Sequence, residues 1–287
     1  RLRMPGYPRD LVLIPNYGFQ RRPDTAAETK DLLAIVGGDI HGSADSANHY
    51  LRIVDISDPT NPTRIASTTV SFAGSSAVTR VRWSPPYVGF LEIGGTYSVS
   101  LVHLQNFIYG LNLTSAEFEE LPRNGEAGAD LNGDGDYVDA GESIPLPPRD
   151  SNDFVGRDAQ FAMSDTDQSI RDFVIEGGGA FVGVVTGSGN LLGTDGLASG
   201  TNAPASYRTL YWNGVDLPRE VASYVPTNHY LTRVTSLFGQ AVIRSNQVEE
   251  LDLVLLSVVA DDRTSQRLTV LDVSDPTLPS VLTEIEL

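Results

Sequence analysis

The densest run of potential metal ligands lies between Asp130 and Glu142 and reads Asp-Leu-Asn-Gly-Asp-Gly-Asp-Tyr-Val-Asp-Ala-Gly-Glu. Asp130, Asn132 and Asp134 stand at alternate positions and can turn oxygens toward one centre. Gly135, at the sixth position, permits the sharp turn that brings later ligands round, and Asp136 can offer its backbone carbonyl. The closing bidentate carboxylate is due at the twelfth position, which is Gly141. Asp139 or Glu142 must therefore close the shell through a loop one residue longer. Many flexible oxygen ligands favour Ca²⁺ over Mg²⁺, which demands a tighter octahedron. Without a cation the carboxylates crowd and repel; with one, the loop becomes a staple. The plain alternative is a solvated Asp/Gly turn.

The exit from this run, Ile144-Pro145-Leu146-Pro147-Pro148, cannot be helical. The segment is thus not a helix–loop–helix sensor. Residues 119–153 are too many for a turn between strands and are expected as an insertion on one face of the fold.

Other chemistry is sparser. The histidines are His41, His49, His103 and His229. Asp39 and His41 form an Asp-x-His pair that can ligate a metal or position a water, or simply belong to a polar loop after the apolar run Leu32–Val36. His103 reads as a strand residue. Gly187-Ser188-Gly189 lacks the frame of a serine nucleophile elbow. Gly177-Gly178-Gly179 reads as a tight turn or bulge rather than a binding site, and Asp165 and Asp167 as a second ion contact or, more plainly, a solvated turn. Arg80, Arg82, Trp83, Tyr87, Tyr97, Tyr207, Tyr211 and Trp212 can build a recognition face if they cluster; packing between sheets is the plainer role.

Composition narrows the partners. The 287 residues carry 37 acidic against 20 basic side chains, a net charge of −17. Nucleic acid and anionic membrane surfaces repel such a chain, and no apolar run approaches a spanning helix. The absence of Cys rules out disulfides, thiolate metal sites and a Cys nucleophile. The chain opens Arg1-Leu2-Arg3-Met4, as expected of a processed protein or a piece of a longer one.

The elements that must position these groups are strands. Short apolar or alternating runs recur between Gly, Pro, Asp and Asn, as at Leu51–Ile56, Ala77–Trp83, Tyr97–Leu101, Ala180–Val185 and Leu251–Val259, the pattern of an all-β fold. Thr114-Ser115-Ala116-Glu117 can cap a short helix or form a polar turn. One twelve-residue unit occurs twice: Leu51-Arg-Ile-Val-Asp55-Ile-Ser57-Asp58-Pro59-Thr60-Asn-Pro62 returns as Leu268-Thr-Val-Leu-Asp272-Val-Ser274-Asp275-Pro276-Thr277-Leu-Pro279. The apolar half is a strand. The prolines cannot continue a ladder, and Ser and Asp can bond the turn's own amides. Each copy follows an apolar strand and precedes another, so each sits in a small sheet that must stack on its like. Weaker copies are expected between them: Val78–Trp83 with Gly89–Ile93, Tyr97–Leu104 and Phe107–Leu113, then Arg157–Met163 with Phe173–Ile175, Ala180–Val185 and Leu210–Gly214. The whole chain, 1–287, is expected to be one β-propeller-like array of about four four-stranded antiparallel blades, either complete or part of a larger propeller.

The repeated unit resembles the LVIVD-repeat family of bacterial β-propellers, in which a similar segment ends successive blades. The resemblance is close over 51–62 and 268–279 and implies a propeller. The Asp130–Glu142 run resembles the calcium loops of dockerins and bacterial extracellular proteins. Together they imply an extracellular or cell-surface module, stabilised by calcium, that serves as a non-enzymatic scaffold or binds a protein or glycan within a larger assembly. Two alternatives stay open: a propeller hydrolase or lyase acting on a polysaccharide or ester, and a subunit of a filament or surface layer whose sheet edges pair between chains.

Overall fold

The structure is a computed structural model; it describes residues 7–21, 25–38, 50–69, 77–93, 97–112, 159–162, 169–187, 205–213, 218–226, 229–244, 247–260 and 264–287. Four four-stranded sheets follow one another along the chain. Sheet 1 is β1 (Tyr7–Phe19), β2 (Glu28–Gly38), β3 (Tyr50–Asp55) and β4 (Thr63–Thr69). Sheet 2 is β5 (Ala77–Ser84), β6 (Tyr87–Ile93), β7 (Tyr97–His103) and β8 (Ala159–Ala162). Sheet 3 is β9 (Ser169–Glu176), β10 (Phe181–Gly187), β11 (Ser206–Tyr211) and β12 (Arg219–Tyr224). Sheet 4 is β13 (His229–Arg244), β14 (Gln247–Ala260), β15 (Gln266–Asp272) and β16 (Ser280–Glu286). Strand order follows chain order in every sheet, and every pairing with a described register is antiparallel. The all-β class and the array of four blade-like sheets are as expected from the sequence.

Two assignments differ from the sequence reading. Phe107–Leu113 was expected as a strand, but Leu104–Asn112 is a helix, α1. Leu104, Phe107 and Ile108 recur at helical spacing and are all buried. The stretch Arg157–Met163 was expected to open the third sheet; its described part, β8, instead closes the second.

The chain divides into two compact units, the first holding sheet 1 and most of sheet 2, the second holding sheets 3 and 4. In the first, Ile14, Leu32, Ala34, Val36, Leu51 and Ile53 of sheet 1 share one core with Val78, Val81, Val88 and Phe90 of sheet 2 and with Phe107 and Ile108. In the second, Val174, Val185 and Tyr207 of sheet 3 share a core with Val234, Val254, Leu256, Leu271 and Val273 of sheet 4. Burying each such side chain contributes about 1.5–3 kcal/mol.

Every first strand carries a register shift near its start, at Pro8/Asp10, Val78/Arg80, Arg171 between Ile170 and Asp172, and Leu231/Arg233. The extra residue bends the strand and re-aims its neighbours. Beside it, a carboxylate ties one sheet to the next within each unit. Asp10 accepts the N–H of Leu11 at 3.0 Å, of Val81 at 3.1 Å and the Arg82 guanidinium at 2.9 Å. Asp172 accepts the N–H of Phe173 at 3.0 Å and of Val234 at 3.3 Å. The pairs Asp10–Val81 and Asp172–Val234 are one device used twice.

Candidate functional site

The residues expected to hold calcium, Asp130, Asn132, Asp134, Asp136, Asp139 and Glu142, lie outside the described residues, as do the insertion 119–153, Asp39, His41 and His49. Among the described residues no group of three or more His, Asp or Glu side chains gathers to hold a metal. The polar constellations that the structure does build are the repeated turn and a few buried ionisable groups.

The repeat is a hydrogen-bonded object whose turn bonds recur in its two copies. Asp55 Oδ1 accepts Ser57 N–H at 2.9 Å, and Asp272 Oδ1 accepts Ser274 N–H at 3.1 Å. Asp58 Oδ1 accepts Thr60 N–H at 2.9 Å and its hydroxyl at 2.6 Å; Asp275 does the same for Thr277 at 2.9 and 2.6 Å. These are Asp-centred turns in which a carboxylate replaces the backbone acceptor. The Thr60 hydroxyl and N–H hold the Asp58 carboxyl below its ordinary range, and those of Thr277 do so for Asp275. At Asp55, burial pushes the carboxyl up, but the Lys30 ammonium at 2.8 Å and the Ser57 N–H outweigh it and lower it.

A second aspartate, not singled out in the sequence, completes each copy. Asp31 N–H donates to Ser57 Oγ at 3.0 Å, and Asp252 N–H to Ser274 Oγ at 3.1 Å. Their carbonyls accept Ile56 N–H and Val273 N–H, each at 2.8 Å. Their carboxylates accept Asn16 N–H at 2.9 Å and Gly239 N–H at 2.8 Å. Asn16 and Gly239 both adopt positive φ, 51° and 60°, at register shifts in β1 and β13. Registers confirm the match: Leu32 pairs with Ile14 and Asp55, and Leu253 with Leu237 and Asp272. The repeat thus spans whole sheets rather than twelve residues.

Three further groups are buried. His103 ends β7; its Nδ1 accepts Asn106 N–H at 3.4 Å, capping α1, and its ring stands edge-on to Tyr87 at 5.7 Å. Burial pushes this imidazole down to about 4. Ser100 donates to Glu92 at 2.5 Å within sheet 2. In sheet 3 the Tyr207 hydroxyl donates to Glu176 Oε1 at 2.5 Å. Burial raises Glu176 to about 7; the Tyr207 bond opposes the shift and the Asp252 charge adds to it. The Tyr207 ring covers Gly183, where a Cβ would meet ring carbon Cε2 at 2.7 Å.

Several of the candidate aromatics pack on neighbours within their own unit. Trp83 stands edge-on to Tyr17 at 5.9 Å, and Tyr211 lies against Phe181 at 5.0 Å. Tyr17 also donates to Gln105 at 3.2 Å, and Gln105 donates to the Gln20 carbonyl at 2.6 Å, so the hairpin end of sheet 1 is seated on α1.

A family model, the LVIVD repeat, matches residues 44–70 and 259–285. The chain therefore carries this repeat at two places, which hold β3–β4 and β15–β16. No curated protein matches it. Among solved structures, a mutant apocarotenoid oxygenase of Synechocystis aligns with 90% of this chain at 12% identity and a TM-score of 0.33. The chain spans 59% of that enzyme's length. No helix among the described residues is long and apolar enough to cross a membrane.

Proposed function

We propose that this chain is a non-enzymatic, extracellular or cell-surface propeller-like module that serves as a scaffold or binding domain in a larger assembly. Asp130, Asn132, Asp134 and the Asp136 carbonyl, closed by Asp139 or Glu142, hold a structural Ca²⁺ that staples the 119–153 insertion. A protein or glycan is the ligand class. The observation that carries the proposal is the internal use of the repeat's polar groups. Asp31, Asp55, Ser57, Asp58 and Thr60, with their counterparts Asp252, Asp272, Ser274, Asp275 and Thr277, bond backbone or one another within their own sheets. Side chains engaged in this way build a rigid support and leave recognition to loops.

Calorimetric titration of the whole chain with Ca²⁺, beside an Asp130→Ala/Asp134→Ala variant, tests the metal. Saturable binding by the parent, lost in the variant, is expected, with a rise in Tm on adding Ca²⁺. No heat and an unchanged melt remove the staple. Turnover of a polysaccharide or ester by the purified chain, abolished by Asp39→Asn or His41→Ala, replaces the scaffold by the hydrolase or lyase alternative.

A further inference from the structure

The two units follow one plan, and one buried set in it changes character. Asp10 and Asp172 each follow the bulge of a first strand, and each accepts a valine N–H of the following sheet, from Val81 or Val234. From these aspartates, register matches sheet 1 to sheet 3. Asp10 pairs with Val36, and Val36 with Leu51; Asp172 pairs with Val185, and Val185 with Tyr207. Further along, Val12 pairs with Ala34 and Val174 with Gly183, then Ile14 with Leu32 and Glu176 with Phe181. In the first unit the set Ile14, Ala34 and Leu51 is apolar and fully buried. In the second the same places hold Glu176, Gly183 and Tyr207, and Glu176 is only 3% exposed and Tyr207 0%.

The three replacements depend on one another. Glycine in place of alanine makes room for the larger ring, since a Cβ on Gly183 would meet Tyr207 Cε2 at 2.7 Å. The ring lies in the core that sheets 3 and 4 share, and its hydroxyl donates to Glu176 Oε1 at 2.5 Å. The other carboxyl oxygen, Oε2, is buried with no hydrogen-bond partner among the described residues. A neutral acid can occupy such a place; a carboxylate there is costly. The first unit shows that the plan packs without an acid, so the acid adds something other than packing: a proton that can be lost.

The surroundings bias that proton from several sides. β10 contributes Phe181 and Gly183, which do not titrate, and β11 contributes Tyr207. From sheet 4 the Asp252 carboxylate of β14 brings like charge, and the Gly239 N–H holds it in place at 2.8 Å. Val81 pairs with Phe90 and Val234 with Leu256; four residues before these partners stand Pro86 in the first unit and Asp252 in the second. Tyr224 of β12 pairs with Tyr207 and feels Glu284 and Arg267. Asp172, with Arg233 at 4.0 Å, lies four residues back on β9, roughly 13 Å away by the strand rise. Glu176 is the last residue of β9, at the edge of the Gly177–Gly179 turn.

We infer that Glu176 is a proton-operated latch on the contact between sheets 3 and 4. As a neutral acid it keeps Tyr207 seated over Gly183 in the shared core. When it releases its proton to water, the new charge faces Asp252 with one oxygen unsatisfied, and the end of β9 moves outward to be solvated. The second unit loosens at this contact, and the first, with Ile14 at the same place, does not. Burial keeps the proton in place until about pH 7. The inference goes beyond the scaffold proposal and holds with or without calcium.

Amide hydrogen exchange of the whole chain, corrected for the intrinsic effect of pH, reads both contacts through the Val234 and Val81 N–H groups. Protection at Val234 should fall between the ordinary 4.5 and about 7 and level off above, by up to about tenfold per pH unit, as one proton allows. Protection at Val81 should not fall. Asp252→Asn, which keeps an oxygen for Gly239, should move the upper end of the fall to lower pH. Tyr207→Phe, which removes a donor to the carboxylate, should move it to higher pH. Giving the second unit the set of the first, Glu176→Ile with Gly183→Ala and Tyr207→Leu, should abolish the fall with circular dichroism unchanged. Should that variant not fold, the opposed shifts of the two single variants decide alone. A parent without the fall at Val234, a fall shared by Val81, one retained by the folded triple variant, or an upper end moved by neither single substitution overturns the inference.

Discussion

The Tyr207 hydroxyl donates to Glu176 Oε1 at 2.5 Å, with both side chains buried in the second unit. A neutral carboxyl suits this position better than a carboxylate, since burial is the largest influence on it. The folded chain therefore holds a proton that the unfolded chain releases between the ordinary value of 4.5 and about 7. The Glu176 contribution to stability should be fully present below that window, be lost as pH rises through it, and stay absent above. The loss should be on the order of 3 kcal/mol, from the size of the shift. In urea melts the stability difference between the parent and Glu176→Gln should shift across this range and be constant outside it, since comparing the pair cancels slopes from other groups such as His103.

His103 has the opposite sign. Its imidazole is held neutral down to about 4, against an ordinary 6.5. The unfolded chain takes up a proton first as pH falls, so the His103 contribution to stability should decline from pH 6.5 toward 4 and be constant above. His103→Gln, which keeps a polar atom near Asn106, should abolish this acid slope in denaturant melts. Because His103 and Glu176 lie in different units, limited proteolysis at acid pH should open the first unit and at neutral pH the second.

Asn16 and Gly239 occupy equivalent left-handed positions. A side chain that tolerates positive φ should be accepted at both, and others should not. Gly239→Asn is expected to be near neutral, whereas Gly239→Val should lower stability by about 1–2 kcal/mol. Chemical denaturation of the two variants distinguishes conformational strain from crowding, because a Cβ at this site meets nothing nearer than the Glu250 carboxylate at 3.2 Å.

The inter-sheet carboxylates differ in exposure, and their removal should differ accordingly. Asp172 is almost wholly buried, so Asp172→Ala leaves the Val234 N–H without its acceptor and should cost about 1–3 kcal/mol. Asp10 is about a quarter exposed, so water can replace it at Val81. Asp10→Ala should cost about 1 kcal/mol or less. Equal losses at the two sites would contradict the equivalence with unequal solvent access.

Local features were legible in the chain. The strand-and-turn unit at Leu51–Pro62 and Leu268–Pro279 announces itself because its donors and acceptors sit two residues apart. Asp31 and Asp252 escaped notice because their partners, Ser57 and Ser274, lie across a strand pair and after segments of unequal length. Glu176 and Tyr207 meet only through the sheet, and neither is surrounded by a motif. The helix at Leu104–Asn112 was overlooked because an apolar run of this length fits a strand as well, until burial of Leu104, Phe107 and Ile108 selects the helical period. The middle sheets lack the Asp-Pro turn, so their limits had to come from pairing.

Strand order equals chain order in all four sheets, with no crossover inside any of them. Such a meander is a cassette: duplication or deletion of one whole sheet rethreads nothing and leaves the neighbours' ladders intact. An array of this kind can lengthen or shorten by discrete steps during evolution, and inserted segments tolerate drift so long as the flanking cassette survives.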